Sequence, residues 1–364
     1  MLKTIFHQNH VDNSAKMVDF AGWDMPINYP AGIIKEATFV RQNSGFFDVS
    51  HMGRVEVFGK DRESFIEKIL PINLQSLDIG SAKYTLLIDE NQKILDDLII
   101  YKYSDHFLLI INASNTKKDL EWINSQITGD TQIKNITSET GMLAIQGPNV
   151  LEKLQTLSSS FKEVGRYKFK NISIENNMVF VARTGYTGED GVEIIFNNNC
   201  SEIIWDIMKK LEIPPCGLGA RDLLRIEAGL HLYGHEINEY SNPVDIGLKR
   251  LLETKSQNYI NYKYINDSDI ENGKFSIAAF LVLDRGIPRE ENEIFFENNV
   301  IGKITSGTHS PTLKSSIAIG LIKRDFNIVN NKVRIKVRDK FLEAEIRKLP
   351  MYRRRRKWVK FLNH

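Results

Sequence analysis

The chain of 364 residues is 42% hydrophobic and 26% charged, which is typical of a soluble globular protein with two or three cores. Its two cysteines, Cys200 and Cys216, exclude a disulfide framework and a structural zinc site, and no segment approaches the roughly 18 consecutive apolar residues of a membrane helix. The net charge is only +2, but residues 321–364 hold 15 Lys or Arg against 4 Asp or Glu, so a basic end follows an acidic body.

The first part of the chain alternates helical and extended segments. The stretch from Pro30 to Gly45 predicts a helix, with proline in its first turn and glycine just past its end. Two extended segments, KYTLLID and ILDDLIIYKY, flank the turn at residues 90–93 and predict a β-hairpin. A helix is then predicted over NTKKDLEWINSQI, residues 115–127. Strands interleaved with helices on one side indicate an α+β fold.

A second alternating region follows, with MLAIQG and MVFVAR as strands and residues 217–236, GLGARDLLRIEAGLHLYGHE, as a helix. From about residue 275 the pattern changes to short strands separated by turn residues, which predicts a small β-barrel or sandwich. We place the boundary within residues 246–275, where an Asn-rich, charged segment shows little periodicity.

Two adjacent acids lie in the strand ILDDLIIY. Successive side chains of a strand point to opposite faces, so Asp96 and Asp97 should not form one proton-sharing pair. Asp97 shares a face with Tyr101 and approaches Tyr84 of the hairpin partner, which is typical of a polar anchor in an apolar pocket. The alternative is a strand-end aspartate that is hydrogen-bonded to a turn.

Other candidate site residues are a glutamate and an arginine further along the chain. RTGYTGEDGVEI, residues 183–194, has three glycines that suit either close approach to a ligand or a tight hairpin. Glu193, just inside the next strand, could accept two parallel N–H bonds. Arg221 lies early in a predicted helix, where a surface ion pair is the alternative interpretation.

The basic end contains the run MYRRRRKWVK, residues 351–360. Arginines mixed with aromatic residues could bind phosphates or stack on bases, but an acidic protein or a polyanionic ligand tail would be served equally well. Because the acidic body opposes broad binding to nucleic acid, we predict no nucleic-acid partner. The start of the chain shows neither a signal peptide nor a transit character, so we predict a cytoplasmic protein without a membrane partner.

Seven blocks together resemble one family, the aminomethyltransferases, or T-proteins, of the glycine cleavage system. In chain order they are KMVDFAGWDMPINYPAGIIKE, GFFDVSHMGRVEVFG, ILDDLIIY, IQGP, RTGYTGEDGVEI, GLGARDLLRIEAGLHLYGHEI and GKITSGTHSPTLKSSIAIG. The resemblance implies a three-domain, cloverleaf-like α+β fold. Residues 1–50 plus 140–245 would form a folate-binding domain, residues 51–139 a domain with the catalytic aspartate, and residues 246–364 a linker and a C-terminal β-barrel of Greek-key type.

The resemblance also implies a reaction. The substrate would be an aminomethyl group on the lipoyl arm of a partner, the H-protein, within the glycine cleavage system, and tetrahydrofolate would be the co-substrate. The products would be methylenetetrahydrofolate, ammonia and the reduced lipoyl arm. The alternative is a folate-dependent demethylase of a small methylated sulfur or amine compound, and folate proteins linked to iron–sulfur assembly share the fold.

Carried over position by position, the resemblance assigns the catalytic role to Asp97, in agreement with the argument from strand faces. It implies pterin binding by Glu193 and folate binding by Arg221. One of Arg354 to Arg356 would meet the glutamyl tail of folate, and we choose Arg356. No metal ligand is implied. The remaining residues implied to line the folate cavity are Tyr84, Tyr101, Asn112, Tyr186 and Tyr233.

Overall fold

The computed structural model of the protein describes residues 1–252, 256–265 and 273–354. In chain order its helices are α1 (His7–Asp12), α2 (Ile33–Gln42), α3 (Arg62–Ile69), α4 (Thr116–Ser125), α5 (Val150–Leu154), α6 (Ser201–Lys210), α7 (Leu218–Glu227) and α8 (Tyr262–Ile265). Its strands are β1 (Lys16–Phe20), β2 (Trp23–Asn28), β3 (Gly45–Asp48), β4 (Gly53–Phe58), β5 (Ser81–Ile88), β6 (Ile94–Lys102), β7 (Phe107–Ile111), β8 (Gln132–Asn135), β9 (Thr140–Gln146), β10 (Phe169–Ile174), β11 (Asn177–Ala182), β12 (Gly191–Asn197), β13 (Phe275–Val282), β14 (Glu293–Phe296), β15 (Asn299–Ser310), β16 (Ser315–Lys323), β17 (Lys332–Val337) and β18 (Lys340–Arg347).

The strand with the two aspartates, β6, lies in a five-stranded sheet of order β5-β6-β7-β4-β8. β5 and β6 pair antiparallel, which confirms the hairpin predicted from the turn between them. Helices α3 and α4 cover one face of this sheet, where Leu98 and Ile100 of β6 join a buried core. Ile99 and Tyr101 belong to the core on the other face. The two aspartates therefore start from opposite sides of the sheet.

A second five-stranded sheet has the order β10-β11-β12-β9-β3. β3 precedes the first sheet in the chain, so the chain returns to pair β9 with a strand it formed earlier. Helix α6 packs against this sheet through Trp205, whose ring lies edge-on to the ring of Phe46 of β3, with 5.1 Å between the ring centres. The division of the chain into three domains stays a prediction.

The C-terminal strands close into a barrel of order β13-β16-β15-β14-β17-β18, which confirms the predicted β-barrel. Its interior is filled by alternating apolar side chains, among them Phe280, Ile304 and Ile335. Closure pairs the first strand with the last, β13 with β18, and leaves no unpaired sheet edge in this part of the chain.

The helix predicted over residues 217–236 is shorter than expected. α7 ends at Glu227, because Gly229 adopts a left-handed conformation with φ of +64° and the chain then turns away. The residues from Leu230 onwards form a loop rather than further helical turns. This loop brings Tyr233 and Glu236 back beside the helix and the barrel.

Helix α7 sits at the junction of the sheets and the barrel. It contacts α2 and β2 on one side and β15 and β16 of the barrel on the other. Arg221 and Arg225 lie one turn apart on it and reach different neighbours. None of the helices in the described ranges combines the length and apolar character that crossing a membrane requires.

Candidate active site

Asp97 is only partly buried, whereas Asp96 is fully buried on the helix-covered face of the sheet. Register places Asp97 opposite Leu86 and Tyr84 opposite Ile99, so Tyr84 is the diagonal neighbour of Asp97. The Tyr84 hydroxyl donates to Asp97 Oδ2 at 2.9 Å. Burial, followed by the Asp97 charge, raises the pKa of Tyr84 well above its usual value, so this tyrosine is a neutral donor.

Asn112 joins the two aspartates although they point to opposite faces. It follows β7, which pairs with β6, and its Nδ2 group donates to Asp97 Oδ1 at 3.0 Å and to Asp96 Oδ1 at 2.8 Å. Its backbone N–H donates to Asp96 Oδ2 at 2.9 Å. The two acids therefore differ in burial, as expected for opposite faces of the sheet, but the Asn112 amide hydrogen-bonds to both of them.

The environment of Asp97 favours proton exchange near neutral pH. Burial, together with the charge of Asp96, raises the pKa of Asp97 to about 7, and the hydrogen bonds from Tyr84 and Asn112 limit that rise. A carboxyl group with such a pKa populates both protonation states at neutral pH. It can therefore take up a proton and release it again.

A second polar group forms around Glu193 on β12, which is 5% exposed. Its Oε2 accepts a hydrogen bond from the Thr184 hydroxyl at 2.6 Å, and that hydroxyl lies 3.2 Å from the hydroxyl of Tyr101. Within the described ranges no donor reaches the other oxygen, Oε1. Tyr101 is completely buried among Phe169 and Phe180, and its hydroxyl contacts the Glu193 group only through Thr184 in the described part of the chain.

Arg221 faces the same region from α7. Its guanidinium lies 4.9 Å from the centre of the Tyr186 ring, and its Nη1 is buried without a hydrogen-bond partner in the described part of the chain. Burial lowers the pKa of Arg221, and the charge of Glu193 opposes that shift. A buried donor without a partner, on a residue whose charge interacts with that of Glu193, is the arrangement expected where a polar ligand completes the hydrogen bonding.

Tyr186 links these groups to Asp97. Its hydroxyl donates to the backbone carbonyl of His231. Burial raises the pKa of Tyr186, and the charges of both Asp97 and Arg221 act on its hydroxyl. The sequence-predicted residues therefore meet from three parts of the chain: the β5–β6 hairpin, the segment 184–193 and α7.

Two glycines of the segment before β12 are required for different reasons, one for its backbone conformation and one for close packing. Gly188 has a φ of +79°, the left-handed conformation that favours glycine. Gly185 has no such φ, but a Cβ atom there would lie 2.1 Å from Gln146 Oε1, so a side chain would displace the buried, hydrogen-bonded amide of Gln146. The segment is thus a turn that packs closely against Gln146, and close approach of its backbone to a ligand stays a prediction.

Two predicted residues lie at the margin of this group. The Tyr233 hydroxyl donates to the carbonyl of Ile94 at 2.9 Å, and its ring shares a hydrophobic cluster with Tyr84. Arg356 lies outside the described residues. Its neighbour Arg354 is described, and its Nη1 lies 2.9 Å from Asp190 Oδ2 in the glycine-rich segment.

Sequence reasoning missed Thr184, Asn115 and Asp119. Asn115 Nδ2 donates to Asp96 Oδ1 at 2.6 Å, and Asp119 is a fully buried acid on α4. One signal was present, since Asp119 lies four residues before the buried Ile123 on the same helix face. Among residues 1–252, 256–265 and 273–354, no cluster of three or more His, Cys, Asp or Glu could hold a metal ion.

Two family models match the chain. The GCVT N-terminal domain matches residues 6–256, and the glycine cleavage T-protein C-terminal barrel domain matches residues 277–353. The second match coincides with the closed barrel of β13 to β18.

Relatives match over nearly the whole length. The aminomethyltransferase of Bacillus mycoides (strain KBAB4) is 40% identical over 349 residues, 93% of this chain and 94% of the relative. That of Bacillus cytotoxicus is 39% identical over 347 residues, with the same shares. The crystal structure of the glycine cleavage system aminomethyltransferase T from Bartonella henselae superposes with a TM-score of 0.89 at 28% identity, covering 96% of this chain and 98% of that one. The chain therefore belongs to the aminomethyltransferase, or T-protein, family of the glycine cleavage system.

Proposed function

We propose that this aminomethyltransferase moves the methylene carbon of an aminomethyl-dihydrolipoyl group, carried by an H-protein, to tetrahydrofolate and releases ammonia. The observation that carries the proposal is the setting of Asp97. It is a partly buried carboxyl group with a pKa of about 7, fixed by the Tyr84 hydroxyl and the Asn112 amide. A group in this state can exchange a proton during the transfer without a large change in its surroundings.

The polar groups near Asp97 suit a folate as co-substrate. The free Oε1 of Glu193 offers an acceptor to the N–H groups of a pterin edge, and the unpaired Nη1 of Arg221 offers a buried donor. Tyr84 and Tyr186 provide partly buried aromatic surface between these groups and Asp97. Tetrahydrofolate would supply the two nitrogens that receive the carbon.

Asp97 would handle the protons of the reaction. Transfer forms two C–N bonds to the folate, breaks the C–N bond to the departing ammonia, and breaks the C–S bond to the lipoyl arm. The two N–H protons that the folate nitrogens lose end on ammonia and on the lipoyl thiol, so the equation balances. We propose that the Asp97 carboxylate orients the pterin-side nitrogen and accepts its proton as that nitrogen attacks the methylene carbon.

Positioning would contribute much of the remaining acceleration, because holding the folate and the lipoyl arm together turns a bimolecular step into an effectively intramolecular one. The positive charge near the C-terminus favours an acidic carrier protein as partner, since charge complementarity speeds docking. Of the arginine run in residues 351–360, the described part of the chain includes Arg353 and Arg354, and Arg354 pairs with Asp190. The two cysteines are free and buried, which suits work in a reducing compartment such as the cytoplasm.

The experiment that tests the function mixes the purified chain with tetrahydrofolate and aminomethyl-loaded H-protein, then measures ammonia and methylenetetrahydrofolate. We expect both products in equal amounts, and no turnover when either tetrahydrofolate or the loaded carrier is omitted. Parallel reactions replace the carrier with small methylated amines or sulfur compounds. One-carbon folate formed from these donors, with no ammonia from the loaded carrier, would contradict the proposal and favour a folate-dependent demethylase.

A further inference from the structure

Asp119 on α4 is a buried acid that the steps above do not use. Its side chain is 0% exposed, and in the described parts of the chain no donor reaches Oδ1 or Oδ2. Removing a carboxylate from water without hydrogen bonds costs several kcal/mol. An ionised Asp119 is therefore incompatible with its surroundings, whereas a protonated acid can remain there and act as a donor.

Its neighbour Asp96 is in the opposite situation. Asp96 is also 0% exposed, but its oxygens accept from the Asn112 N–H, from Asn112 Nδ2 and from Asn115 Nδ2 at 2.6 to 2.9 Å. Three donors stabilise a carboxylate, so Asp96 is the member of the pair that carries the charge. Asn115, which contacts Asp96, also accepts the backbone N–H of Asp119 at 2.8 Å, so α4 carries Asp119 one turn beyond a residue that touches Asp96. Burial, followed by the charge of Asp96, raises the pKa of Asp119 to about 10. Two neighbouring carboxyl groups can share a hydrogen bond only when a proton lies between them.

Charged and titratable groups reach Asp119 from each element packed around it. From β6 these are Asp96 and Asp97, whose charges disfavour ionisation of Asp119. From α4 itself, the Lys118 charge favours ionisation, but its Nζ lies 2.7 Å from the Leu95 carbonyl oxygen and does not hydrogen-bond to Asp119. From the loop after α7 comes the hydroxyl of Tyr233, whose pKa is raised by burial and by the charges of Asp96 and Asp119. The charges of Asp96 and Asp97, which disfavour ionisation of Asp119, therefore have a larger effect than the charge of Lys118, which favours it.

The protonation of this pair decides which way the Asn112 amide points. A charged Asp96 presents only acceptors, so it binds the Nδ2 end of the amide. Nδ2 also lies 3.0 Å from Asp97 Oδ1 and 3.1 Å from the Asp97 carbonyl oxygen, so its second hydrogen is directed at Asp97. The amide oxygen must face the other way, where no described residue donates to it.

We propose that Asp119 is a positioning residue for the transfer: it keeps a proton that it donates to Asp96, and the Asp96–Asp119 pair thereby holds the Asn112 amide in the orientation that donates to Asp97. The proposal rests on the proposed function of Asp97, and it assigns the helix α4 a role in the reaction. Asp119 itself touches no reacting atom.

Two variants separate a protonated donor from a packing role. Asp119→Asn keeps a donor toward Asp96 but cannot ionise, whereas Asp119→Leu has similar size and no donor. In the complete transfer assay we expect Asp119→Asn to keep kcat within about twofold of the wild type, and Asp119→Leu to lose about tenfold or more. In Asp119→Leu the midpoint of the pH dependence of kcat/KM moves up, because the Asn112 bond that lowers the pKa of Asp97 is loosened.

A second measurement does not depend on activity. The folded-state pKa of Asp119 is raised, to about 10, so between its unfolded value of 3.8 and this value the folded wild type binds one proton more than the unfolded chain. Its stabilisation is complete at low pH and is lost as pH rises. Across this window the wild type should lose stability relative to Asp119→Asn, by up to about tenfold in the folding equilibrium per pH unit.

Each result decides the proposal. Equal values of kcat in Asp119→Asn and Asp119→Leu would overturn it, because the donor that distinguishes the two variants would then make no difference to the reaction. Parallel stability curves for the wild type and Asp119→Asn between about pH 5 and 9 would also overturn it. If Asp119→Leu does not fold, the stability comparison alone decides. If no variant and no wild-type protein showed transfer activity, but the stability curves of the wild type and Asp119→Asn diverged with pH, the proposed function would be wrong. The protonated state of Asp119 would still be supported by the stability curves.

Discussion

Asp97→Asn lowers kcat for the transfer by roughly 100- to 10,000-fold, while the KM for tetrahydrofolate changes little. Asparagine keeps the size of the side chain, and its amide oxygen can still accept from Asn112 Nδ2. Its amide nitrogen cannot accept from the Tyr84 hydroxyl, and the side chain cannot take up a proton. In the wild type, kcat/KM rises with pH through about 7, because the active carboxylate form of Asp97 is populated above its pKa. The variant lacks this rise.

The measurement is the initial rate of ammonia release over a series of pH values, at several concentrations of tetrahydrofolate. Asp12→Asn provides the matched control, because it makes the same change at an exposed position on α1 and should leave the rate unchanged. If Asp97→Asn turned over at the wild-type rate with folate bound, Asp97 would have no part in proton transfer.

Arg225→Met destabilises the protein by about 3–5 kcal/mol, the cost of leaving a buried charge without its partner. The Arg225 side chain is 1% exposed, and its Nη1 lies 2.6 Å from Oε2 of the fully buried Glu236. Its Nη2 donates to Ser306 Oγ of the barrel, also at 2.6 Å. Although burial opposes ionisation, the Arg225 charge and the hydroxyls of Ser306 and Thr305 hold the pKa of Glu236 below its usual value. The Arg225→Met variant therefore leaves the buried Glu236 carboxylate ionised without its positively charged partner.

Chemical denaturation followed by circular dichroism measures this effect. The control is Arg324→Met, since Arg324 is half-exposed, lies 3.7 Å from Asp245, and should cost less than about 1 kcal/mol. Replacing both partners, Arg225→Met with Glu236→Leu, should recover part of the loss, because no buried charge is then left alone. If Arg225→Met lost no more stability than the control, the contacts of Arg225 with Glu236 and Ser306 would not stabilise the junction of α7 and the barrel.

Much of the fold follows from local patterns. Period-two alternation and turn residues were enough to predict the β5–β6 hairpin and the individual barrel strands, because both signals are local in the chain. The pairing of β13 with β16 and with β18 joins strands that are distant in the chain. The length of α7 was wrong, since an apolar pattern continues into the loop beyond Gly229. That glycine is the signal that could have corrected the length.

For the proposed site, the sequence indicated the candidate residue Asp97 but not the residues that contact it. Strand alternation alone selected Asp97 over Asp96, and burial agrees with that choice. The bridge through Asn112 was not visible, because it depends on the register of β7 against β6 and on a side chain beyond the strand end. Asp119 was interpreted as part of a helix, and its contact with Asp96 depends on how α4 packs on the sheet. Such contacts are set by tertiary structure, which local sequence does not encode.

The most direct test of the central claim is a crystal structure of the chain with tetrahydrofolate bound. The predicted result is the pteridine between Asp97, Glu193 and Arg221, with a carboxylate oxygen of Asp97 at hydrogen-bond distance, about 2.6–3.2 Å, from a pteridine nitrogen. A folate bound elsewhere, for example on the barrel, or an Asp97 side chain turned toward bulk solvent while the folate is present, would contradict the claim.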